Sequence, residues 1–239
     1  MALMATFFLL AGAFVAVLYL CVPWLYGRWS RKALERLAIR RKTVVVTLDD
    51  GPGRQLTDVV LQVLEAEGVK AVFFLLGRNI RGNEEIVRRI HAEGHEIGSH
   101  SYDHLHAWKV APWRAVADIR RGRKAIDDAL GVERGEYPFR PPYGKLNLVT
   151  WVYLLVTRTP IVYWTIDSGD TWSEAASDHG RTGRLCRTRG GGVILIHDFD
   201  RKAGERHRFV LGALRSSLNV ARELRLSVST YSQLIRGQT

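Results

Sequence analysis

Cysteine is scarce in this 239-residue chain. Cys21 and Cys186 are too few for a disulfide framework, and neither belongs to a C-x-x-C or other cysteine-rich metal pattern. Low-complexity linkers and repeats are missing after residue 42, so residues 43–239 read as one domain. Charge is missing from the first 27 residues: between Ala2 and Tyr26 only Thr6, Gly12 and Pro23 fall outside the apolar set. A helix over Ala2–Val22 would be about 31 Å long at ~1.5 Å per residue, enough to cross a hydrocarbon core. A cleaved secretory signal fits poorly, because no Lys or Arg precedes the run and its one small-residue triplet, Ala11-Gly12-Ala13, lies in mid-run. Residues 1–27 are therefore expected to be a retained transmembrane anchor.

The remaining composition is that of a folded protein. Hydrophobic residues make up 46% and charged residues 25%, which excludes a disordered chain. The net charge of +11 points first to nucleic acid or to a membrane surface. Its position favours the membrane. Residues 28–42 hold seven basic side chains against Glu35 alone, a net +6, and the rest of the chain carries +5. Such a juxtamembrane segment suits anionic headgroups, a solvated linker helix being the plainer alternative. By the positive-inside bias it puts the domain on the cytoplasmic side of the inner membrane. Nucleic acid is not an expected partner, since no recognition motif accompanies the basic excess.

Within the domain, short apolar and β-branched runs alternate with helical stretches. Strands are expected at Val44–Leu48, Ala71–Leu76, Glu96–Ser99, Ile161–Ile166 and Val193–His197, and helices at Gln55–Glu67, Glu84–Glu93, Pro112–Leu130 and Arg206–Leu224. Gly68, Gly94 and Gly131 stand where C-terminal caps belong. Most of the strands are continuously apolar, as strands covered on both faces are. The alternation implies an α/β fold with a mostly parallel sheet or barrel, whose polar residues at the strands' C-terminal ends are the default site candidates.

Five polar groups stand at or near such ends. Asp49 and Asp50 leave the first strand together, a costly pairing unless a metal holds one and leaves the other as a base. His100 and His104, four apart, would share one face of a helical turn and reach one ion. Asp50 with two histidines would leave coordination positions open, the catalytic rather than the structural pattern. His91, His95 and His106 nearby read as structural or surface residues. Arg140-Pro141-Pro142-Tyr143-Gly144 is a stiff loop whose arginine could pair with a carboxylate such as Asp49. Asp167-Ser168-Gly169-Asp170-Thr171-Trp172 follows the fourth strand, and His197, beside Asp198, ends the fifth, where a histidine next to a carboxylate can serve as a tuned acid. The segment Leu146–Val156, apolar with Trp151 and Tyr153, reads as a barrel helix, with the membrane interface as the alternative.

These five groups, in this order, resemble the polysaccharide deacetylase, or NodB-homology, family over essentially all of 43–239. The resemblance implies a distorted (β/α) barrel and a metal-dependent N-deacetylase of N-acetylated sugars. By resemblance Asp49 is the base, Asp50, His100 and His104 hold a divalent ion, and Arg140 orients the base. The ion implied is zinc, with cobalt, nickel or manganese as alternatives. Tyr143 lends its backbone N–H to the oxyanion, Asp170 tunes the acid His197, and Leu195 and Trp172 line the acetyl pocket. Thr171 departs from the pattern, in which the tryptophan directly follows the aspartate. A membrane-held domain favours a lipid-linked or growing glycan as substrate. The alternatives are a deformylase of a lipid-linked amino sugar and a non-catalytic membrane scaffold on the same fold.

Overall fold

The computed structural model describes residues 2–171, 178–200 and 204–237, without the side chains at 2, 3, 5–11, 13–16, 204 and 205. In chain order the elements are α1 (Ala2–Arg40), β1 (Thr43–Asp49), α2 (Leu56–Ala66), β2 (Val72–Leu75), α3 (Gly77–Ile80), α4 (Glu84–Ala92), β3 (Glu96–Ser99) and α5 (Pro112–Leu130). A 3-10 turn at Pro142–Gly144 leads to α6 (Leu148–Val156), β4 (Ile166–Asp167), α7 (Arg181–Arg189), β5 (Gly192–His197), α8 (Gly204–Glu223), β6 (Ser227–Val228) and α9 (Tyr231–Arg236). The β-branched runs become strands because they can be covered on both faces. Every residue of β1 and β2 is buried. Helix α5 stops at Gly131, whose φ of 69° is the left-handed conformation that a side-chain-bearing residue adopts only at a cost.

The sheet is parallel, in the order β3-β2-β1-β5-β4, with β6 pairing the start of β1. Beyond β3 the pairing continues through single bridges, Ser99 to Phe139 and Phe139 to Ile161. The stretch from Pro160 onward then crosses to β5, with Thr165 N–H donating to Val193 O at 2.9 Å. Hydrogen bonding therefore runs in a ring. The strand expected over Ile161–Ile166 is regular only at Ile166–Asp167, because the segment changes partner between Phe139 and β5. Alternation along the strands splits the core. Val44, Val46 and Leu48 join the large cluster under the outer helices, whereas Val45, Val72, Phe74 and Val193 form a second cluster with Leu34, Ala38 and Leu234.

Leu34 and Ala38 belong to α1, so the basic segment 28–42 is not a free linker. Arg31 lies over the rings of Tyr163 and Trp164, at 4.4 and 5.2 Å, and Arg189 pairs with Glu35 at 2.8 Å. Packing of this kind holds one side of this stretch against the domain, while Arg28, Lys32, Arg36 and Arg40 on the other side stay exposed. No helix among the described residues is long and apolar enough to cross a membrane. Most side chains of the span expected over 1–27 lie outside those residues. The backbone there is helical and runs unbroken past residue 27 to Arg40.

Candidate active site

The inward row of β1 reads Val45, Thr47, Asp49, and its polar end meets Arg140. This arginine is wholly buried. Its Nη1 donates to Asp49 Oδ1 at 2.6 Å and to the Thr47 hydroxyl; Nε and Nη2 donate to the carbonyls of Val162 and Tyr163 at 3.3 and 3.4 Å. The guanidinium also lies 4.1 Å over the Phe74 ring. Its backbone N–H is fixed to Ser99 O at 3.0 Å, and the two prolines that follow stiffen the loop. Burial raises the pKa of Asp49, against the opposing pull of Arg140 and His197. Arg140 therefore occupies one carboxylate oxygen and holds the other toward the site.

Asp50 turns the opposite way, with φ at 67°. Asn79 Nδ2 steadies it by donating to its carbonyl at 2.7 Å. Asp50 Oδ1 lies 3.5 Å from both His100 Nε2 and His104 Nε2. His100 Nδ1 is 2.7 Å from the carbonyl of Arg140, which can only accept, so the proton sits on Nδ1 and the Nε2 lone pair faces Asp50. Burial lowers His100 to about 3 and lowers His104 as well, so both rings are neutral donors. The two histidines do not share a helical turn, as their spacing led one to expect. They converge through a loop in which Ser101 and His104 take left-handed φ values of 67° and 58°.

The candidate ligand atoms of these three residues lie within 4.8 Å of one another. Asp50 Oδ1 is buried and has no hydrogen-bond partner. A buried carboxylate oxygen that faces the His100 lone pair and lies 3.5 Å from His104 Nε2, with no hydrogen-bond partner, is unfavourable unless a cation sits among them. Two neutral nitrogens and one carboxylate oxygen fit a divalent metal of the zinc type.

Across the site, Asp170 is wholly buried. Its Oδ1 is 2.8 Å from His197 Nδ1, and its Oδ2 accepts the backbone N–H of His197 at 2.9 Å. Burial, the largest single influence, pulls the imidazole pKa down, but Asp170, Asp49 and Asp50 together raise it to about 9. His197 is thus held as imidazolium at neutral pH. Leu195, two residues earlier on β5, is buried on the same side of the strand. Tyr143 projects from its turn with φ at 57°, its ring 4.5 Å from that of His104 and 5.0 Å from that of His106. Trp172 lies outside the described residues. His95 accepts the Ala71 N–H at 3.2 Å in a buried position, a structural role, and His91 lies on α4.

Thr47 was not among the candidates, and Asp198 was considered only as the neighbour of His197. Asp198, next to His197 in sequence, is not the carboxylate that holds the imidazole; Asp170 is. Asp198 is instead buried beneath the Asp49-Asp50-Gly51 turn, accepting from Thr57 Oγ1 at 2.6 Å, while its backbone N–H donates to Asp49 O at 3.1 Å. Burial, partly opposed by Thr57, pushes its carboxyl up to about 7. A Cβ on Gly51 would fall 2.4 Å from Asp198 Oδ1, which explains the glycine after the paired aspartates. Asp200 receives the N–H groups of Gln55 and Leu56 at the start of α2. Thr47 carries only the faint signal of a polar residue inside an apolar strand.

Comparison with known proteins agrees with this geometry. A family model described as polysaccharide deacetylase matches residues 37–155. The chain is 33% identical to a peptidoglycan-N-acetylglucosamine deacetylase of Listeria monocytogenes, over 66% of this chain and 32% of that protein. It is 29% identical to a chitooligosaccharide deacetylase of Bradyrhizobium, over 66% of this chain and 71% of that one. The chain thus spans about a third of the length of the Listeria relative. Among solved structures, the Xyl-CE4 domain of a multidomain xylanase from the hindgut metagenome of Trinervitermes trinervoides superposes with a TM-score of 0.70. Its identity is 26%, over 83% of this chain and 91% of that one. Sequence motifs, fold and relatives point the same way, and the chain belongs to the polysaccharide deacetylase, or NodB-homology, family.

Proposed function

We propose that this chain is a metal-dependent carbohydrate N-deacetylase that hydrolyses the acetamide of an N-acetylated sugar. Residues 1–27 anchor it in the inner membrane with its domain on the cytoplasmic side, and the sugar is lipid-linked or part of a growing glycan. One observation carries the enzymatic reading. A buried, unbonded Asp50 oxygen lies 3.5 Å from the Nε2 atoms of two histidines, with a second carboxylate fixed beside it by a buried arginine. The similarity to peptidoglycan-N-acetylglucosamine and chitooligosaccharide deacetylases supports an N-acetylated glycan as the substrate class.

Asp50, His100 and His104 would hold the ion, zinc by its donor set. When bound, it supplies a Lewis acid that polarises the acetyl carbonyl and makes water more acidic. Asp49, oriented by Arg140, takes a proton from the attacking water. The Tyr143 N–H donates to the oxygen that gains charge. His197 delivers its proton to the amine nitrogen as the carbon–nitrogen bond breaks, releasing acetate and the free amino sugar, and Asp170 stabilises the imidazolium until then. Leu195 packs beside the acetyl methyl.

In the full chain, Asp49→Asn is expected to lower turnover by ~10²–10⁴-fold, the usual contribution of a general base, while keeping its bound metal. Metal content and amine release measured on the same sample check this, and full activity would overturn the assignment of Asp49. A reporter fused after Thr239 tests topology: a signal from outside the cytoplasm contradicts the orientation.

A further inference from the structure

Helix α6 is turned inside out for a surface helix. It has no charged residue, and its outward positions, Val149, Val152, Leu155 and Val156, are all apolar, the last 77% exposed. Their spacing of three, three and one makes one stripe. The inward side instead carries Thr150 and Leu154, above the Asn147 cap. A helix on the rim of a water-soluble α/β domain presents polar residues outward. The neighbouring α5 does so with Arg114, Arg120, Arg121, Lys124 and Asp128.

Two observations name what covers the stripe. It continues onto α1, where Trp151 of α6 packs 5.7 Å from Tyr26, and Trp24, Leu25 and Trp29 are exposed within two turns of that helix. Tryptophan and tyrosine at that density mark a headgroup boundary. The charge carried by the two segments that make this surface has one sign, although Asp127, Asp128 and Glu133 stand among arginines and Lys124 in the cavity beside Tyr153 and Thr157. Arg28 lies over Trp24 at 4.9 Å, Lys145 and Arg158 flank α6, and no acidic residue occurs before Glu35 or between Tyr137 and Ile166. The surface also borders the site. A Cβ on Gly144, next to Tyr143, would lie 2.5 Å from Arg31 Nη2.

We propose that the outward stripe of α6 and the Trp24–Trp29 turn of α1 form one contact surface for an anionic lipid bilayer, laying the domain on the membrane with the Tyr143 rim beside the lipid. The inference deepens the anchored reading above and rests on it. It gives α6 a role that an anchor alone does not require: the sugar is presented to the site at the headgroup level.

The test uses the full chain in vesicles of phosphatidylcholine and phosphatidylglycerol. Val152→Cys and Val156→Cys, each in a Cys21→Ser background, carry an environment-sensitive fluorophore. Val59→Cys on α2 serves as control; Cys186 is buried. Labels at 152 and 156 are expected to shift to the blue. Lipids spin-labelled near the headgroup should quench them several-fold more than the label at 59, and more so than in vesicles of phosphatidylcholine alone. If the protein floats with the vesicles but aqueous iodide quenches all three labels alike, the contact surface is refuted and the anchor stands. A blue shift that follows protein concentration without lipid quenching assigns the stripe to a second copy of the chain and refutes it too. Protein that stays at the bottom of the flotation gradient overturns the anchored reading and this inference with it.

Discussion

Val45 and Asp49 lie on the same side of β1, four residues apart, in opposite surroundings. Around Val45 the interior of the sheet is apolar: Val72, Phe74 and Val193 from neighbouring strands, Leu34 and Ala38 from α1, and Leu234 from α9. Around Asp49 it is ionic, with Arg140, Asp50, His100 and His197. Burying charge at one end of a small core is tolerable when the other end is dry and every ion has a partner. The comparison teaches a division of labour along a single row of side chains. The N-terminal end stabilises, and the C-terminal end holds groups in protonation states that water alone would not give them.

Breaking the ionic end should have the largest effect. Arg140→Met leaves Asp49 buried without a partner and is expected to cost about 3–5 kcal/mol of stability, read from urea unfolding, together with loss of turnover in the molecules that still fold. A variant as stable as the parent would show that the pair is not structurally coupled. Breaking the apolar end should cost slightly less and leave chemistry alone. Leu34→Ala, which opens a cavity beneath β1, is expected to cost about 2–4 kcal/mol with turnover per folded molecule unchanged. A fall in turnover at constant stability would blur the division.

The smallest effect is one of pH. The folded pKa of His197, about 9, lies above its ordinary 6.5. Its stabilisation by Asp170 is therefore complete below about 6.5 and is lost as pH rises through about 9. Turnover should fall along the same alkaline limb, since the acid is then deprotonated. Asp170→Asn is expected to move that limb down by ~1 pH unit or more, measured as a pH–rate profile. An unmoved limb would detach His197 from it.

Much of this was legible in the sequence because the strands are covered on both faces and the ligand types are few. The apolar runs of β1, β2 and β5, the glycine-capped α2, α4 and α5, and the order of Asp49-Asp50, His100, His104, Arg140, Asp170 and His197 could all be read directly. What escaped reading depends on partners far along the chain. The segment at Ile161–Ile166 has strand composition but divides its hydrogen bonds between Phe139 and β5. His100 and His104 suggested a helical turn because their spacing allows one, and only backbone φ values reveal the loop. Leu34 and Ala38 were hidden inside a basic run, where composition reports the solvent side of α1 and not the side against β1. Asp198 was visible beside His197, but its burial against Thr57 was not.

The most direct test of the central claim is metal content measured alongside chemistry on one preparation. The full chain is analysed for metal and for acetate release from an N-acetylglucosamine oligomer before chelation, after chelation and after zinc is returned. The account predicts one divalent ion per chain, loss of ion and acetate release together on chelation, recovery of both with zinc, and neither in His104→Ala. Acetate release that persists in metal-free protein, or full metal binding by His104→Ala, would contradict it.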